Sequence, residues 1–325
     1  MKKEKASKKE IPESSIKSFK KMANETGKFY TSCIDALLEC KTLSSQQKRL
    51  KQLVDSLPKP MQKLYQKGID SFLEQTRKNQ EILSKKRGEK RYVLLKEILK
   101  ANPTFKIKDF NDFFNKINEI DESAVKYKEL SPGIPLIRIK QELYEGLINK
   151  QISSMCILLN GLLFIITKNK ISKNILKHEL SHFIFHFLKK DKYLRQERDK
   201  SWNKFSRFRN EIVAYIMQQS FKNINFISER LMDEKEKINT LVIKTKDGKE
   251  LNRANKTINF LFFSMVVGSK MGVDMNDFIF PCLISRDYNE LIKNCNYLVK
   301  NELVNEWLRD KNNKGQDILK FCGIK

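Results

Sequence analysis

The sequence predicts a mainly helical α+β protein. Three features carry that reading: N-terminal amphipathic patterns at three- and four-residue steps, one strong hairpin signal at Asn160-Gly161, and a following helix apolar on almost every side. The chain has 325 residues, 40% hydrophobic and 32% charged. That is enough apolar matter for one large domain or two smaller ones, and it excludes a disulfide mini-protein and a wholly disordered chain.

Residues 1–14 are polar, lysine-rich and aperiodic, so a disordered basic tail is expected there. Residues 15–130 are expected to form a helical, basic N-terminal region. Amphipathic patterns run through Ser15–Glu39, Ser44–Leu57, Met61–Lys86 and Arg91–Lys100, with breaks at Leu57-Pro58 and Arg87-Gly88. Phe19, Met22, Phe29, Cys33 and Leu37 form the packing stripe of the first. A shorter helical pattern lies at Asp109–Ile120. The turn signal Ser131-Pro132-Gly133-Ile134-Pro135 then marks the expected boundary of a core spanning residues 131–251.

Within that core, two apolar, β-branched runs flank Asn160-Gly161 and read as paired strands. They lead into a helix over Ile171–Leu188, which must be buried because little besides its histidines and Glu179 is polar. A second helix is expected over Asn203–Phe221 and a further hairpin near Asp247-Gly248. Residues 252–325 return to helical patterns, with Met265, Val266, Val267 and Met271 core-like, and are expected to pack on the core.

Charge and cysteine usage bound the partners. The 64 basic and 39 acidic residues leave a net charge of +25, concentrated toward the N-terminal end. Such a balance suits contact with nucleic acid or an anionic surface through the basic N-terminal region, but a lysine- and asparagine-rich coding bias gives the same composition with no partner. The six cysteines show no CxxC, which suits a reducing, cytoplasmic compartment and excludes a zinc ribbon. No apolar h-region follows the N-terminal lysines, although export as an effector by another route would leave the same sequence. No transmembrane segment is expected, since a span needs roughly 18 consecutive apolar residues and Met155–Thr167 is broken at Asn160-Gly161.

The chain has only three histidines, His178, His182 and His186. His178-Glu179-Leu180-Ser181-His182 is an HExxH. On a helix, residues four apart lie about 40° around and 6 Å along, so both imidazoles can share one zinc ion. Glu179, about 100° from His178, can then reach a water held by the metal and act as general base. His186 lies about 12 Å along the axis from His178, too far to share the ion, and reads as a core residue or as support for the site.

A third ligand must be a carboxylate. Downstream candidates are Asp191, Glu197, Asp199 and Glu211, the first three within a highly charged stretch. Glu211 is the lone acid between Lys200 and Phe221, and its cationic partner is either zinc or Arg209.

These residues resemble the zincin metallopeptidases, in the gluzincin arrangement of HExxH followed by a glutamate on a later helix. The local match is to the ImmA/IrrE-like metallopeptidases, whose HELGH helix with a histidine four residues on is similar to HELSHFIFH here, with Ser181 where glycine is usual. Their apolar strand with a nearby Asn resembles CILLNGLLFII, and their Glu-x-x-Ala resembles Glu211-Ile212-Val213-Ala214. The resemblance covers about residues 150–220. It implies a zincin-like core with a small sheet packed on the active-site helix, and one zinc per chain on His178, His182 and Glu211. It also implies Glu179 as base and proton shuttle, and a protein or peptide substrate cut internally. An oxyanion-stabilising role would fall to Tyr215, Tyr193, an arginine or backbone groups. The resemblance also implies an edge strand just before the active-site helix that receives the substrate backbone, here expected at Leu162–Thr167. The competing expectation is a nucleic-acid or anionic-membrane binding protein whose zincin module is structural or inactive.

Overall fold

The computed structural model describes residues 12–85, 125–141, 154–159, 162–168, 171–189, 200–218 and 272–299. The expected helices at 91–100 and 109–120, the hairpin at Asp247-Gly248, the core positions 265–271, and Asp191, Tyr193, Glu197 and Asp199 lie outside these residues. The described elements are α1 (Glu13–Glu39), α2 (Leu43–Asp55), α3 (Lys59–Lys85), β1 (Val125–Ser131), β2 (Ile134–Ile139), β3 (Ser154–Leu159), β4 (Leu162–Lys168), α4 (Lys173–Leu188), α5 (Lys200–Gln218), a 3-10 turn (Met275–Phe278), α6 (Ile279–Ile284) and α7 (Tyr288–Leu298). The described residues are thus mainly helical with one small sheet, as expected. No described helix is long and apolar enough to cross a membrane.

Two compact units form. One contains residues 1–28, 193–209 and 221–325, the other residues 29–192 and 210–220. In the first, Phe19 packs against Phe280 and Tyr297 at ring-centroid distances of 5.2 and 4.8 Å. Gly27 approaches Asn276 so closely that a β-carbon would lie 2.8 Å from it. Arg209, wholly buried, donates to the carbonyls of Cys282 (3.0 Å) and Ser285 and lies over the Phe205 ring. This lets a helix of polar and apolar residues bury a guanidinium without stranding its charge.

The second unit holds the sheet, in the order β1-β2-β4-β3. β3 and β4 pair antiparallel from Ser154↔Thr167 to Leu159↔Leu162, the hairpin the sequence predicts. β2 runs parallel to β4 from Leu136↔Ile165 to Ile139↔Lys168. β4 is therefore bonded on both sides, and the expectation that Leu162–Thr167 is the free edge is corrected. Among the described strands the edges are β3 and β1, and the sequence reading lacks β1 and β2.

Those two strands also relocate the turn at Ser131-Pro132-Gly133. It closes the antiparallel β1–β2 hairpin inside the second unit instead of separating two domains. A Pro-Gly pair marks a reversal of the chain, and only the partner strands decide whether the reversal is a hairpin or a linker. Gly133 has φ +71°, and a β-carbon there would strike the Thr76 carbonyl of α3, so glycine is required twice over.

The helices around the sheet follow their apolar stripes. α2 opens on a capping box in which Thr42 Oγ1 accepts from Ser45 N (3.1 Å) and Ser45 Oγ accepts from Thr42 N (3.3 Å). It buries Leu50 and Val54, and α3 buries Met61, Tyr65, Ile69 and Phe72. Phe29 stacks on Tyr65 at 5.3 Å, and Phe72 meets Phe187 of α4 edge-on at 5.5 Å. Gly68 lets α3 cross α4 closely, since a β-carbon would come within 2.5 Å of the Phe187 carbonyl. α4 starts at Ser172, whose hydroxyl accepts from Ile175 N. Its burial runs from Glu179 to Phe185 and returns at Leu188, whereas Lys173, Asn174 and His186 are exposed. Burial of the whole helix, and a core position for His186, are thereby corrected.

Candidate metal centre

Helix periodicity places His178 and His182 one turn apart on α4, and their rings sit edge to face with centroids 4.8 Å apart. α5 brings Glu211 to the same point. Its Oε2 lies 3.7 Å from His178 Nε2 and 3.9 Å from His182 Nε2, and the three ligand atoms fall within 4.8 Å of one another. The two imidazoles are each 12% exposed and Glu211 20%, so the cluster is sheltered yet open to solvent on one side. The side chain the sequence singles out as third candidate is thus brought to the pair.

Neighbouring contacts fix this geometry. Lys177 pairs with Asp35 at 2.9 Å, tying the turn that carries His178 to α1. Tyr30, fully buried on α1, donates to the Ser181 carbonyl at 2.6 Å and meets the Ser181 hydroxyl at 3.0 Å. Ser181, placed where the resembled helix has glycine, has its hydroxyl satisfied by this tyrosine. The Tyr215 ring packs edge-on against His178 at 4.8 Å, so it adjoins the cluster. His186 is exposed and rests its ring edge on Phe187, apart from the cluster.

Two neighbours are missed by sequence reasoning. Asn210 Oδ1 lies 3.0 Å from His182 Nδ1. An amide oxygen only accepts, so the neutral ring carries its hydrogen on Nδ1 and turns the lone pair of Nε2 toward Glu211. Asn210 adjoins Glu211, but 28 residues separate it from His182, and no local pattern reports that pairing. The other is Ser154 on β3, whose hydroxyl donates to Glu179 Oε1.

Comparisons with family models, curated proteins and solved structures give no match. The chemistry of the centre therefore rests on its own atoms. His178 Nε2 and His182 Nε2 both face Glu211 Oε2 beyond hydrogen-bond distance, a spacing that leaves room for an ion among the three atoms. Tetrahedral zinc, with bonds of about 2.0–2.1 Å, needs ligand atoms roughly 3.4 Å apart. The observed 3.7 and 3.9 Å are close to that, and all three atoms lie within a wider 4.8 Å. Glu179 Oε2 is buried without a hydrogen-bond partner among the described residues. The donor set of two imidazoles and one carboxylate fits zinc.

Protonation favours the same conclusion. Burial, helped by the neighbouring His182, holds the His178 imidazole well below its ordinary 6.5, against the pull of Gln218 and the Ala214 carbonyl. Its lone pair is thus available at neutral pH. Glu179, only 3% exposed, is pushed up to about 7 chiefly by burial and also by Glu211, while His182 and the Ser154 hydroxyl pull the other way. A carboxyl poised near neutrality can both accept and return a proton.

Proposed function

We propose that this chain is a zinc-dependent metallopeptidase with a zincin-like core, cutting protein or peptide substrates internally. The observation that carries the reading is the convergence of His178, His182 and Glu211 on one point beside buried Glu179. His178, His182 and Glu211 would hold one zinc per chain. When bound, the ion would polarise the scissile carbonyl and lower the pKa of a water toward about 7.

The protein's own groups do the rest. Asn210 holds His182 in the tautomer that presents Nε2. Glu179 takes the proton of the attacking water and delivers it to the leaving amine, with Oε2 the oxygen that has no competing donor among the described residues. Tyr215, against the His178 ring, is the nearest described candidate for steadying the oxyanion.

A second reading has one observation in its favour. Lys48, Arg49, Lys51 on α2 and Lys59, Lys63, Lys67 on the first half of α3 are exposed, and none pairs with another described residue. The second half of α3 neutralises itself through Lys78–Glu74 and Arg77–Glu81. Such a face suits a nucleic acid or an anionic membrane, with the zincin module structural or inactive.

Metal analysis together with hydrolysis of a peptide library by wild type and Glu179→Gln separates the two. The first reading expects about one zinc per chain and cleavage that the substitution removes. An uncut library, with DNA or anionic-vesicle binding that falls steeply with salt, would establish the second.

A further inference from the structure

We propose that Ser154 is the positioning residue for Glu179, fixing the carboxylate so that Oε2 is the oxygen that handles the proton. The proposal rests on the metallopeptidase reading for what that proton does, but the contact itself stands on geometry. Glu179 has three rotatable side-chain bonds, and its own helix supplies no described hydrogen bond to hold it. The Ser154 hydroxyl donates to Oε1 from a strand 25 residues away in sequence. Oε2 is left buried and without a partner among the described residues. The two oxygens of one carboxylate are thereby made different, one anchored and one available.

The anchor is rigid for a reason visible in the sheet. Ser154 is the first residue of β3 and pairs with Thr167 in a ladder that continues to Leu159↔Leu162. The Thr167 hydroxyl donates to the Lys168 carbonyl at 2.8 Å, so the neighbour across the ladder does not compete for Ser154. β4 is held in turn by β2 on its other side. The position of the Ser154 oxygen is therefore set by the sheet, independently of α4, and Glu179 is pinned between two separately supported elements.

Ser154→Ala and Ser154→Thr test this, with zinc-loaded protein acting on a quenched-fluorescent peptide library and metal-free protein studied by 13C NMR. The Glu179 side-chain carboxyl resonance is assigned by its loss in Glu179→Gln. In Ser154→Ala, kcat should fall roughly 10–100-fold, as when a partner supporting a catalytic group is removed. KM should stay within about twofold and zinc content should be unchanged. Ser154→Thr, which keeps the hydroxyl and suits a strand, should restore most of kcat. The Glu179 resonance should move in the alanine variant and stay in place in the threonine variant. An unchanged kcat, a rise in KM alone or a loss of zinc would overturn the proposal. If wild-type protein cuts nothing, the peptidase reading falls and the resonance decides the contact: movement in Ser154→Ala alone upholds it, and no movement refutes it.

Discussion

Among the described residues of the second unit, polar side chains gather at two sheltered places and are satisfied in different ways. Around the β1–β2 turn, donors meet acceptors. Gln46 Nε2 donates to Ser131 Oγ (2.8 Å) and the Pro132 carbonyl, Asn79 Nδ2 to the Gly133 carbonyl (2.9 Å), and Gln75 Nε2 to Asn79 Oδ1 (2.9 Å). Gln46 Oε1 alone is left over. At the α4–α5 cluster, two imidazole nitrogens stand 3.7 and 3.9 Å from one carboxylate oxygen, too far for a hydrogen bond, and buried Glu179 Oε2 lacks a partner among the described residues. The first arrangement closes on itself apart from Gln46 Oε1 and holds a turn. The second brings three ligand atoms to one point that could hold a metal ion, and that difference separates a structural polar cluster from a candidate chemical one.

The largest effect that would sharpen this contrast is His182→Ala. It removes one of the converging atoms, so metal content should drop from about one zinc per chain to nearly none, and hydrolysis with it. Zinc retained at full stoichiometry would place the metal elsewhere.

Glu179→Gln should abolish most hydrolysis, by roughly 10²–10⁴-fold, while zinc content stays the same. It also carries a pH signature in metal-free protein. Because the folded-state pKa is raised from 4.5 to about 7, the carboxyl favours folding fully below about 4.5 and loses that contribution as pH rises through 7. The glutamine variant should therefore have a higher Tm than wild type at pH 8, by a stability difference of at most about 3 kcal/mol. The two should converge near pH 4.5. A gain that is equal at both pH values would mean that the buried charge is not its cause.

Asn210→Ala should weaken zinc binding roughly 10–100-fold, measured by competition with a chromophoric chelator, because His182 loses its orienting acceptor. The matching test at the other cluster is Gly133→Ala. It should cost about 1–3 kcal/mol in denaturant unfolding, from positive φ and the clash with Thr76, and leave zinc affinity as it was. If instead the turn variant loses zinc, the two clusters are not independent.

Much of the α4–α5 cluster was legible because its information is local. His178 and His182 are a turn apart, so the helical period alone places them together, and Glu211 stands out as the lone acid of its helix. Asn210 and Ser154 were not legible, because each meets its partner only through tertiary packing, across 28 and 25 residues. The helices α1 to α3 follow from apolar steps and from the proline at 58. β1 and β2 were missed although Val125-Lys126-Tyr127-Lys128 alternates and Ile134–Ile139 is an isoleucine-rich run, because the Pro-Gly pair between them reads equally as a linker. Their absence from the sequence reading is also why β4 was taken for an edge. His186 was read as a core residue or as support for the site, whereas the helix turns that residue outward beside Phe187.

The central claim is that two imidazoles and one carboxylate share a single ion. Zinc K-edge X-ray absorption on protein loaded with one equivalent tests it directly. The predicted spectrum shows two imidazole nitrogens and oxygen scatterers at about 2.0–2.2 Å. A sulfur shell near 2.3 Å, or a third imidazole from His186, would contradict it.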